Sequence, residues 1–469
     1  MKPTGGGLQS LPLEIVGSNQ FGRYPKISYE QTINMIVSDD ALVPYAGYVL
    51  VASLYGGRVG RGLFSSINGD KMIAVIGERV FSIDVNFNAT IVGRISTSAG
   101  PISIDENNAK QIAICDESNI YIYNYSTGAF TKAVTPFIPG YVVFQDGYFI
   151  APGLDTNRWH LSAPNNGLSW ADAPSEVGLF QTKPDTPVAV VRQPGREGRI
   201  FVIGNNTTES WYDVGYTLFP YQRDLNYIDY GVANAATVAF TENFVCWLSQ
   251  NEKSGPAIVY SNGGPVTKIS NDGIDFLLAQ LKAPTDSFGF FFRQDGHVIY
   301  QISWPTDNLS LIYDFNTGRF FTITDINGNY HIAKKLVYFN DSYYFVSDVD
   351  GNLYQMTTQQ LTYNGNEIPR IRVCKPIALP DRSRFVINSF SFPVEMGEPT
   401  IPQNAYLSLS FDGGQSFGAS KSYSFNPQGV AQNRLIWWQC GSGNEVMPQF
   451  RWYGNSRFVA KNGEVMLYQ

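Results

Sequence analysis

Hydrophobic positions return in a regular pattern along most of this chain. Each unit opens with a run of β-branched or aromatic residues, turns at Gly, Asn or Asp, and continues with a second such run. The units recur at intervals of roughly 40 to 50 residues, and no helical domain separates them. Examples are KMIAVIGERVFSIDVN (71–86), KQIAICDESNIYIYNYSTGAF (110–130), RIFVIGNNTTESWYDVG (199–215), ENFVCWLSQNEKSGPAIVYSNG (242–263), GFFFRQDGHVIYQISW (289–304) and SYYFVSDVDGNLYQM (342–356). This period is typical of β-propeller blades, which are small four-stranded sheets packed around a central axis.

Turn signals divide the chain into three regions. Residues 41–365 contain six or seven blade units, and the count depends on whether residues 334–356 form a whole blade or half of one. Residues 1–40 form a Gly- and Pro-rich arm that we expect to dock on another molecule. Within this arm, YEQTINMIV (29–37) alternates like a strand and can close the ring by pairing with the last blade.

The pattern changes after about residue 366. The segments FVINSFSFPVEM, AYLSLSFDGGQSFG, RLIWWQCG and QFRWYGNS read as antiparallel strands of a small sandwich. The sequence therefore predicts an all-β protein, in which a six- or seven-bladed β-propeller is followed by a C-terminal antiparallel β-sandwich domain at 370–469.

One segment interrupts the strands. TKISNDGIDFLLAQLKAPT (267–285) has Ser270 or Asn271 as a candidate N-cap, apolar residues at helical spacing, and a proline after them. We expect a short amphipathic helix that lies on the propeller between two blades as a structural clip. Its apolar face consists of Ile274, Leu277, Leu278 and Leu281.

Composition narrows the class of protein further. The chain has 469 residues with 40 acidic and 33 basic side chains, for a net charge of −7. A general basic footprint for gripping nucleic acid is therefore absent, although an acidic surface suits a protein past which DNA slides. The N-terminus lacks the basic and apolar stretches of a signal peptide. No apolar run approaches the ~18 residues of a membrane-spanning helix, so we expect a protein made in a reducing cytoplasm and not exported by a cleavable signal.

The residue types that carry chemistry are scattered. The cysteines are far apart, without a C-x-x-C pair, and are expected to be buried free thiols: Cys115, Cys246, Cys374 and Cys440. The histidines fall in separate blades, without metal-ligand spacing: His160, His297 and His331. No nucleophile elbow or phosphate-binding loop is present. We predict no enzyme activity, no cofactor and no metal, and we assign Trp211, Tyr212 and Trp247 to blade packing.

One local motif is familiar from other propellers. Residues 410–417, SFDGGQSF, are similar to the Asp-box of sialidase propellers. In that motif Asp and Ser side chains hold the backbone amides of a tight hairpin. The motif occurs once and outside the propeller, and the Asp-box of glycosidases lies away from their active sites, so it does not indicate catalysis.

A basic cluster stands out at the junction with the C-terminal domain. Five cations lie within fifteen residues of an otherwise acidic chain: Arg370, Arg372, Lys375, Arg382 and Arg384. Such a cluster can face an acidic neighbour or the DNA backbone. Alternatively, these are simply the outward positions of a strand pair.

The middle of the chain resembles a known family. GRIFVIGNNTTESWYDVG (198–215), LFPYQRD (218–224), YIDYGVANAATVAFTENFVCWLSQ (227–250) and TKISNDGIDFLLAQL (267–281) follow one another in this order. They are similar to the succession in the packaged-DNA stabilisation proteins, or tail hubs, of short-tailed phages. NMIVSDDALVPYAGY (34–48) and LSLSFDGG…GVAQNRLIWWQCG (407–441) also fit, so the resemblance covers most of the chain.

The resemblance implies a structural virion protein of the phage tail, assembled as a homohexamer below the portal and adaptor rings. There it would form a hub or nozzle that extends the channel, retains packaged double-stranded DNA without sequence specificity, and conducts the genome at ejection. It would also hold a tail needle or plug and carry fibres or spikes. Two other functions remain open: a carbohydrate-binding or glycan-cleaving propeller that acts as a receptor-binding tail component, and a scaffold propeller that presents one face to a peptide.

Overall fold

The computed structural model describes residues 7–21, 30–226, 228–251, 253–396, 403–425, 432–454 and 456–468. Within them the chain is almost entirely β-structure, arranged as a propeller and a sandwich. The parts of the predicted arm at 1–6 and 22–29 lie outside the described residues. In the described part of the chain, the two helical elements are Asp272–Leu278 and the 3₁₀ turn Ala235–Thr237.

The described residues form seven blades, each with at least four antiparallel strands. In each blade the first strand lies nearest the axis. Blade 1 consists of Gly60–Ser65, Lys71–Ile76, Arg79–Asp84 and Ala89–Arg94. Blade 2 consists of Ser103–Glu106, Gln111–Cys115, Ile120–Asn124 and Ala129–Lys132. Blade 3 consists of Val143–Gln145, Tyr148–Pro152, Arg158–Ala163 and Asn166–Trp170, and Val177–Leu179 also pairs with its third strand.

Blades 4 to 7 complete the ring. Blade 4 consists of Pro187–Arg192, Arg199–Gly204, Thr208–Asp213 and Tyr221–Arg223, and blade 5 of Ala239–Phe240, Val245–Ser249, Ala257–Ser261 and Thr267–Lys268. Blade 6 consists of Phe288–Gln294, His297–Trp304, Leu309–Asp314 and Arg319–Thr322. Blade 7 consists of Ala333–Phe339, Ser342–Ser347, Asn352–Thr357 and Gly47–Ser53. The short strands Thr362–Tyr363 and Asn366–Glu367 extend blade 7. Apolar side chains fill the interfaces between successive blades, as in the contact of blades 7 and 1 through Phe339 and Leu63.

The strand that closes the ring corrects one expectation. Gly47–Ser53, hereafter the closing strand, pairs antiparallel with Asn352–Thr357 and so completes blade 7. The segment predicted to close the ring, 29–37, does not pair with blade 7 in its described part. Within it, Gln31–Ile33 joins the outer strand of blade 6, and Met35–Ser38 pairs with Ala41–Pro44 in the sandwich. Because both stretches alternate, periodicity alone cannot decide which of them reaches blade 7.

The sandwich is built from both ends of the chain. Its first sheet contains Leu8–Leu13, Gly463–Tyr468, Phe385–Met396, Gln432–Gly443, Phe458–Ala460, Ala41–Pro44 and Met35–Ser38. Its second contains Gln31–Ile33, Arg370–Val373, Ile377–Ala378, Glu445–Trp452, Gln403–Ser410 and Lys421–Phe425. The described part of the predicted arm is therefore integral to this domain, so the expectation of a free docking arm is wrong for these residues.

The two domains share a sheet and a core. Ile33 pairs with Thr322 of blade 6 on one side and with Ile371 of the sandwich on the other. The largest apolar cluster runs from Phe392 and Trp437 in the sandwich to Phe292 and Phe345 in blades 6 and 7. The domains are thus packed as one body at this junction.

The predicted helix is confirmed as Asp272–Leu278. The Asn271 side chain caps it by accepting a hydrogen bond from the Ile274 amide at 3.0 Å. Ile274 and Leu278 are buried in the cluster between blades 5 and 6. The helix is therefore the expected clip between two blades.

Candidate functional site

A small cavity lies on the axis of the propeller. It measures about 190 Å³ and is lined by inner strands and their lead-in segments, including Gly62, Tyr141, Phe240, Gly289 and Lys335. A DNA duplex, whose major groove alone is about 12 Å wide, cannot pass through it. Any passage for DNA must therefore lie outside the single propeller.

An ion pair between a buried carboxylate and a partly exposed arginine lies close to this cavity. Asp105 of blade 2 is 3.3 Å from the Arg192 guanidinium of blade 4, and it accepts a hydrogen bond from the Phe144 amide at 2.7 Å. Burial raises the pKa of Asp105, and Arg192 opposes that rise. The pair joins three consecutive blades by charge and hydrogen bonding, which is a structural role.

The basic cluster splits into buried and exposed members. Arg370 and Arg372 are at most 1 % exposed. Arg370 donates to the carbonyl oxygens of Leu361 and Gly454, and burial lowers its pKa to about 10. A side chain enclosed in this way cannot reach DNA or another copy, so the prediction of an interface is wrong for these two arginines.

Arg372 makes several contacts with the N-terminal segment. Its Nε donates to the Ile15 carbonyl at 2.7 Å, and its guanidinium forms an ion pair with Glu30 at 3.1 Å. The backbone passes so close that a Cβ on Gly17 would lie 2.1 Å from an Arg372 nitrogen. Arg372 therefore ties the first residues of the chain to the sandwich.

The other three cations stay at the surface. Lys375 pairs with Glu14 at 2.9 Å, Arg382 pairs with Glu445 at 2.8 Å, and Arg384 donates to the Ser442 hydroxyl at 2.9 Å. Exposed pairs of this kind contribute little to stability and can exchange partners. These three residues remain candidates for an interface, as the sequence suggested.

The outer surface of the first sandwich sheet carries an apolar patch. Leu8 pairs with Tyr468, and Tyr468 pairs with Val386, so the three side chains form one row. Met466 and Trp438 flank Ser389 in the next row. The side chains of Leu8, Val386, Trp438 and Tyr468 are 42–59 % exposed. We call these four residues and Met466 the sandwich outer face; patches of this kind mark interaction surfaces.

Sequence reasoning missed this face, although the signal was present. In RLIWWQCG the two tryptophans are adjacent, and neighbouring strand residues point to opposite sides of a sheet. Trp437 is 3 % exposed and packs in the core, whereas Trp438 is 59 % exposed. One of two adjacent tryptophans therefore had to face outward.

The Asp-box-like turn has the geometry that the motif predicts. Asp412 Oδ1 accepts from the Ser410 hydroxyl at 2.6 Å and from the amides of Gln415 and Ser416 at 3.0 Å. These hydrogen bonds hold the pKa of Asp412 well below its usual range. The carboxylate is fully engaged in shaping the turn, so it acts structurally.

The histidines and cysteines do not form a site within the described residues. The His160 ring stacks on Phe137, while His297 lies 2.9 Å from Asp314. All four cysteines are free and buried, as predicted. In the described part of the chain, no group of three or more His, Cys, Asp or Glu side chains is arranged to hold a metal ion.

The predicted packing tryptophans are confirmed. Trp211 lies against Trp159 in the interface of blades 3 and 4, and Trp247 is buried between blades 4 and 5. Tyr212 is half-buried, with the Arg199 guanidinium 5.2 Å from its ring centroid. Arg199 also pairs with Asp224 at 3.0 Å, on the wall of a crevice of about 560 Å³ at blade 4.

Comparison with known families identifies the chain. Residues 32–360 match the family described as "Bacteriophage P22 Gp10, beta-propeller", and residues 370–467 match "Bacteriophage P22 Gp10, beta-sandwich". The chain belongs to the phage P22 Gp10 family. The matches cover both domains in the observed order and confirm the predicted propeller followed by a sandwich.

The similarities to solved structures are distant. The chain is similar to virginiamycin B lyase from Staphylococcus aureus with quinupristin, with 10 % identity and a TM-score of 0.46 over 66 % of this chain and 98 % of that one. It is also similar to the extracellular domain of BT4673 from B. thetaiotaomicron, with 11 % identity and a TM-score of 0.43 over 66 % and 39 % of the chains. The Neurospora crassa Pan2 WD40 domain shares 8 % identity with a TM-score of 0.42, covering 64 % and 89 %. No curated protein gives a significant match.

Membership of the P22 Gp10 family makes this protein a structural component of a phage tail. No helix among the described residues is long and apolar enough to cross a membrane. Among the described residues, the sandwich outer face and the cations Lys375, Arg382 and Arg384 are exposed at the surface.

Proposed function

We propose that this protein is the tail hub, or nozzle, that extends the portal and adaptor channel, retains packaged DNA and conducts it at ejection. The observation that carries the proposal is the match to the P22 Gp10 family over both domains, residues 32–360 and 370–467. A ring of six copies supplies a tube from a single gene product. The neighbours of this ring would be the adaptor and portal, a needle or plug, and fibres or spikes.

The narrow axis of the propeller bears on where the DNA would run. A cavity of about 190 Å³ excludes a duplex, so the conduit lies between copies rather than within one. The net charge of −7 suits the wall of such a conduit, because like charge keeps phosphates from adhering. The exposed cations Arg382 and Arg384 would then contact a neighbouring protein or hold DNA locally.

The sandwich outer face is the surface that we assign to contacts between copies or with the adaptor. Its four exposed apolar side chains lie on four neighbouring strands of the first sandwich sheet. Aromatic residues such as Trp438 and Tyr468 are the types enriched in the buried centre of interfaces. The face therefore has the composition that a permanent virion contact requires.

The test is cryo-electron microscopy of the purified chain mixed with portal and adaptor rings. We expect a sixfold ring below the adaptor, with a lumen wide enough for duplex DNA between the copies. A monomer that ignores both rings would overturn the proposal.

Variants of the outer face sharpen this test. Trp438→Lys combined with Val386→Lys should leave folding intact but reduce ring assembly at least tenfold, because two charges would be buried in the contact. The control is Leu225→Lys, at an 86 % exposed position on the propeller. Normal assembly of the double variant would exclude this face as an interface, whatever the result for the ring itself.

A further inference from the structure

One lysine lies inside the propeller without a counter-charge. Lys335 belongs to the inner strand of blade 7, Ala333–Phe339, and lines the axial cavity. Its Nζ is 3.4 Å from the carbonyl oxygen of Ala236, at the entry to blade 5, and 3.4 Å from that of Gly289 in blade 6. Both distances exceed the usual length of a hydrogen bond from nitrogen to oxygen. The ammonium therefore bridges three blades through weak contacts only.

The neighbouring charges leave Lys335 unpaired. The adjacent Lys334 forms an ion pair with Asp348, whereas no described carboxylate lies within 4 Å of the Lys335 ammonium. Asp105, the carboxylate beside the cavity, is already paired with Arg192. Lys335 is only partly exposed, and a cation that keeps few water contacts without gaining a counter-charge is costly. Burial, together with Lys334, lowers the Lys335 pKa to about 8, so the ammonium is still the major form at pH 7.

The cavity offers one further hydrogen-bond donor and no acid. Tyr141 lines it together with Lys335, and no Asp or Glu is among its lining residues. Burial raises the Tyr141 pKa to about 12, so its hydroxyl keeps its proton. Ser103 also lines the cavity, but its hydroxyl is already engaged by the Val142 amide at 2.9 Å and by the Cys115 sulfur. One cation and one hydroxyl suit a small oxygen-rich anion.

Size restricts the ligand to a small molecule. The cavity of about 190 Å³ is below the ~300–1,000 Å³ of pockets for drug-sized ligands. A nucleotide or a peptide is therefore excluded, whereas a tetrahedral oxyanion fits. We propose that the axial cavity binds one small inorganic oxyanion of the phosphate class, held by Lys335 between blades 5, 6 and 7. The bound anion supplies the missing counter-charge at the centre of the ring, independently of what the tail assembly does.

The experiment uses the full chain, exchanged into a buffer free of oxyanions. Isothermal titration with inorganic phosphate should give a saturable signal with one site per chain, and the thermal midpoint should rise to a plateau. Sodium chloride at matched ionic strength is the control for salt. Absence of a saturable signal, or an equal effect of chloride, would overturn the proposal.

Two variants locate the site. Lys335→Met should weaken phosphate binding at least tenfold, whereas Lys334→Met, which removes a cation from the same strand, should bind as the wild type does. Unchanged affinity of Lys335→Met would also overturn the assignment. If that variant does not fold, amine labelling of the wild type followed by mass spectrometry replaces it. Phosphate should then slow modification of Lys335 at least fivefold and leave Lys334 unaffected; equal labelling with and without phosphate contradicts the proposal.

Discussion

At the residue scale, buried charged side chains stabilise loops by hydrogen-bonding to their backbone. Arg61, which is 1 % exposed, donates to the carbonyl oxygens of Gly77, Thr97, Ala99 and Gly100 and so fixes the loop between blades 1 and 2. Glu209 is fully buried and accepts from the amides of Gln181 and Thr182 at 2.8 and 2.6 Å. Such groups are tolerated in the interior because they are satisfied by several partners.

The same reasoning separates the two halves of the basic cluster. Arg372→Gln should lower the free energy of unfolding by about 3 kcal/mol, because it leaves the buried Glu30 with only Lys375, at 3.9 Å, as a counter-charge. Arg384→Gln, the matched control at an exposed position, should change it by less than about 0.5 kcal/mol. Denaturant melts of both variants measure this difference. Equal stability of the two proteins would show that Arg372 does not anchor the N-terminal segment.

His331 should make stability depend on pH. Its ring lies among Tyr45, Tyr48 and Tyr363, and burial lowers its pKa to about 3. Between this value and the unfolded pKa of about 6.5, the unfolded chain binds a proton that the folded chain excludes. Stability therefore falls as the pH drops below about 6.5.

The size of this effect can be measured by difference. Between pH 7.5 and pH 5 the imidazole of His331 should account for about 2 kcal/mol of lost stability. Denaturant melts of the wild type and of His331→Gln at both pH values isolate it, since the other titrating groups are common to both proteins. The same pH dependence in the two proteins would show that His331 is protonated as readily in the folded state.

At the scale of elements, strands distant in sequence hold the structure together. The closing strand, Gly47–Ser53, comes from the start of the chain and completes blade 7 near position 355. The Tyr48 carbonyl oxygen and the Leu50 amide both hydrogen-bond to Asn364 on one side of the closing strand. The N–H and C=O groups of Val49, between them, therefore point to the other side, toward Gln355. The ring is closed by this ladder as well as by apolar packing.

Breaking one rung of this ladder should open blade 7. Val49→Pro should destabilise the protein by about 3 kcal/mol or more, because proline removes the N–H and disrupts the pairing with Gln355. Val49→Ala is the control, since it loses the side chain but keeps the N–H. Thermal midpoints and limited proteolysis near residues 342–357 report the opening. Similar behaviour of the two variants would mean that packing alone closes the ring.

At the scale of the whole molecule, the sandwich depends on the start of the chain. Leu8–Leu13, Met35–Ser38 and Ala41–Pro44 belong to its first sheet, and Gln31–Ile33 connects its second sheet to blade 6. Leu13 and Ile15 are buried in the core that the domains share. A domain boundary at residue 370 therefore separates two regions of the sequence, but the sandwich itself also includes strands from the start of the chain.

This dependence can be tested with fragments. Residues 366–469 alone should show no cooperative unfolding, because their core would be open where four strands are missing. A permuted fragment, in which residues 366–469 continue directly into residues 1–46, should recover a cooperative transition, since Leu8 and Tyr468 are already paired neighbours. Thermal melts followed by circular dichroism compare the two. Cooperative folding of the shorter fragment would show that the N-terminal strands are dispensable.

The sequence by itself determined the local elements of this protein. Alternation within short runs, Gly/Asn/Asp turns and their spacing were sufficient to predict the blades, the Asn271-capped helix, the buried cysteines and the sandwich strands, because these features depend on neighbours along the chain. The order of soft motifs over more than half of the chain also pointed to the tail-hub family, which the family matches confirm.

Only the tertiary structure decided how distant segments meet. Two alternating stretches could each close the ring, and the structure gives that role to Gly47–Ser53. Five neighbouring cations looked alike in sequence, yet two are enclosed by the N-terminal segment and blade 7 while three face solvent. Burial, charge pairing and the unpaired position of Lys335 arise from contacts across the fold, and the local pattern of a strand is the same whichever partner it finds.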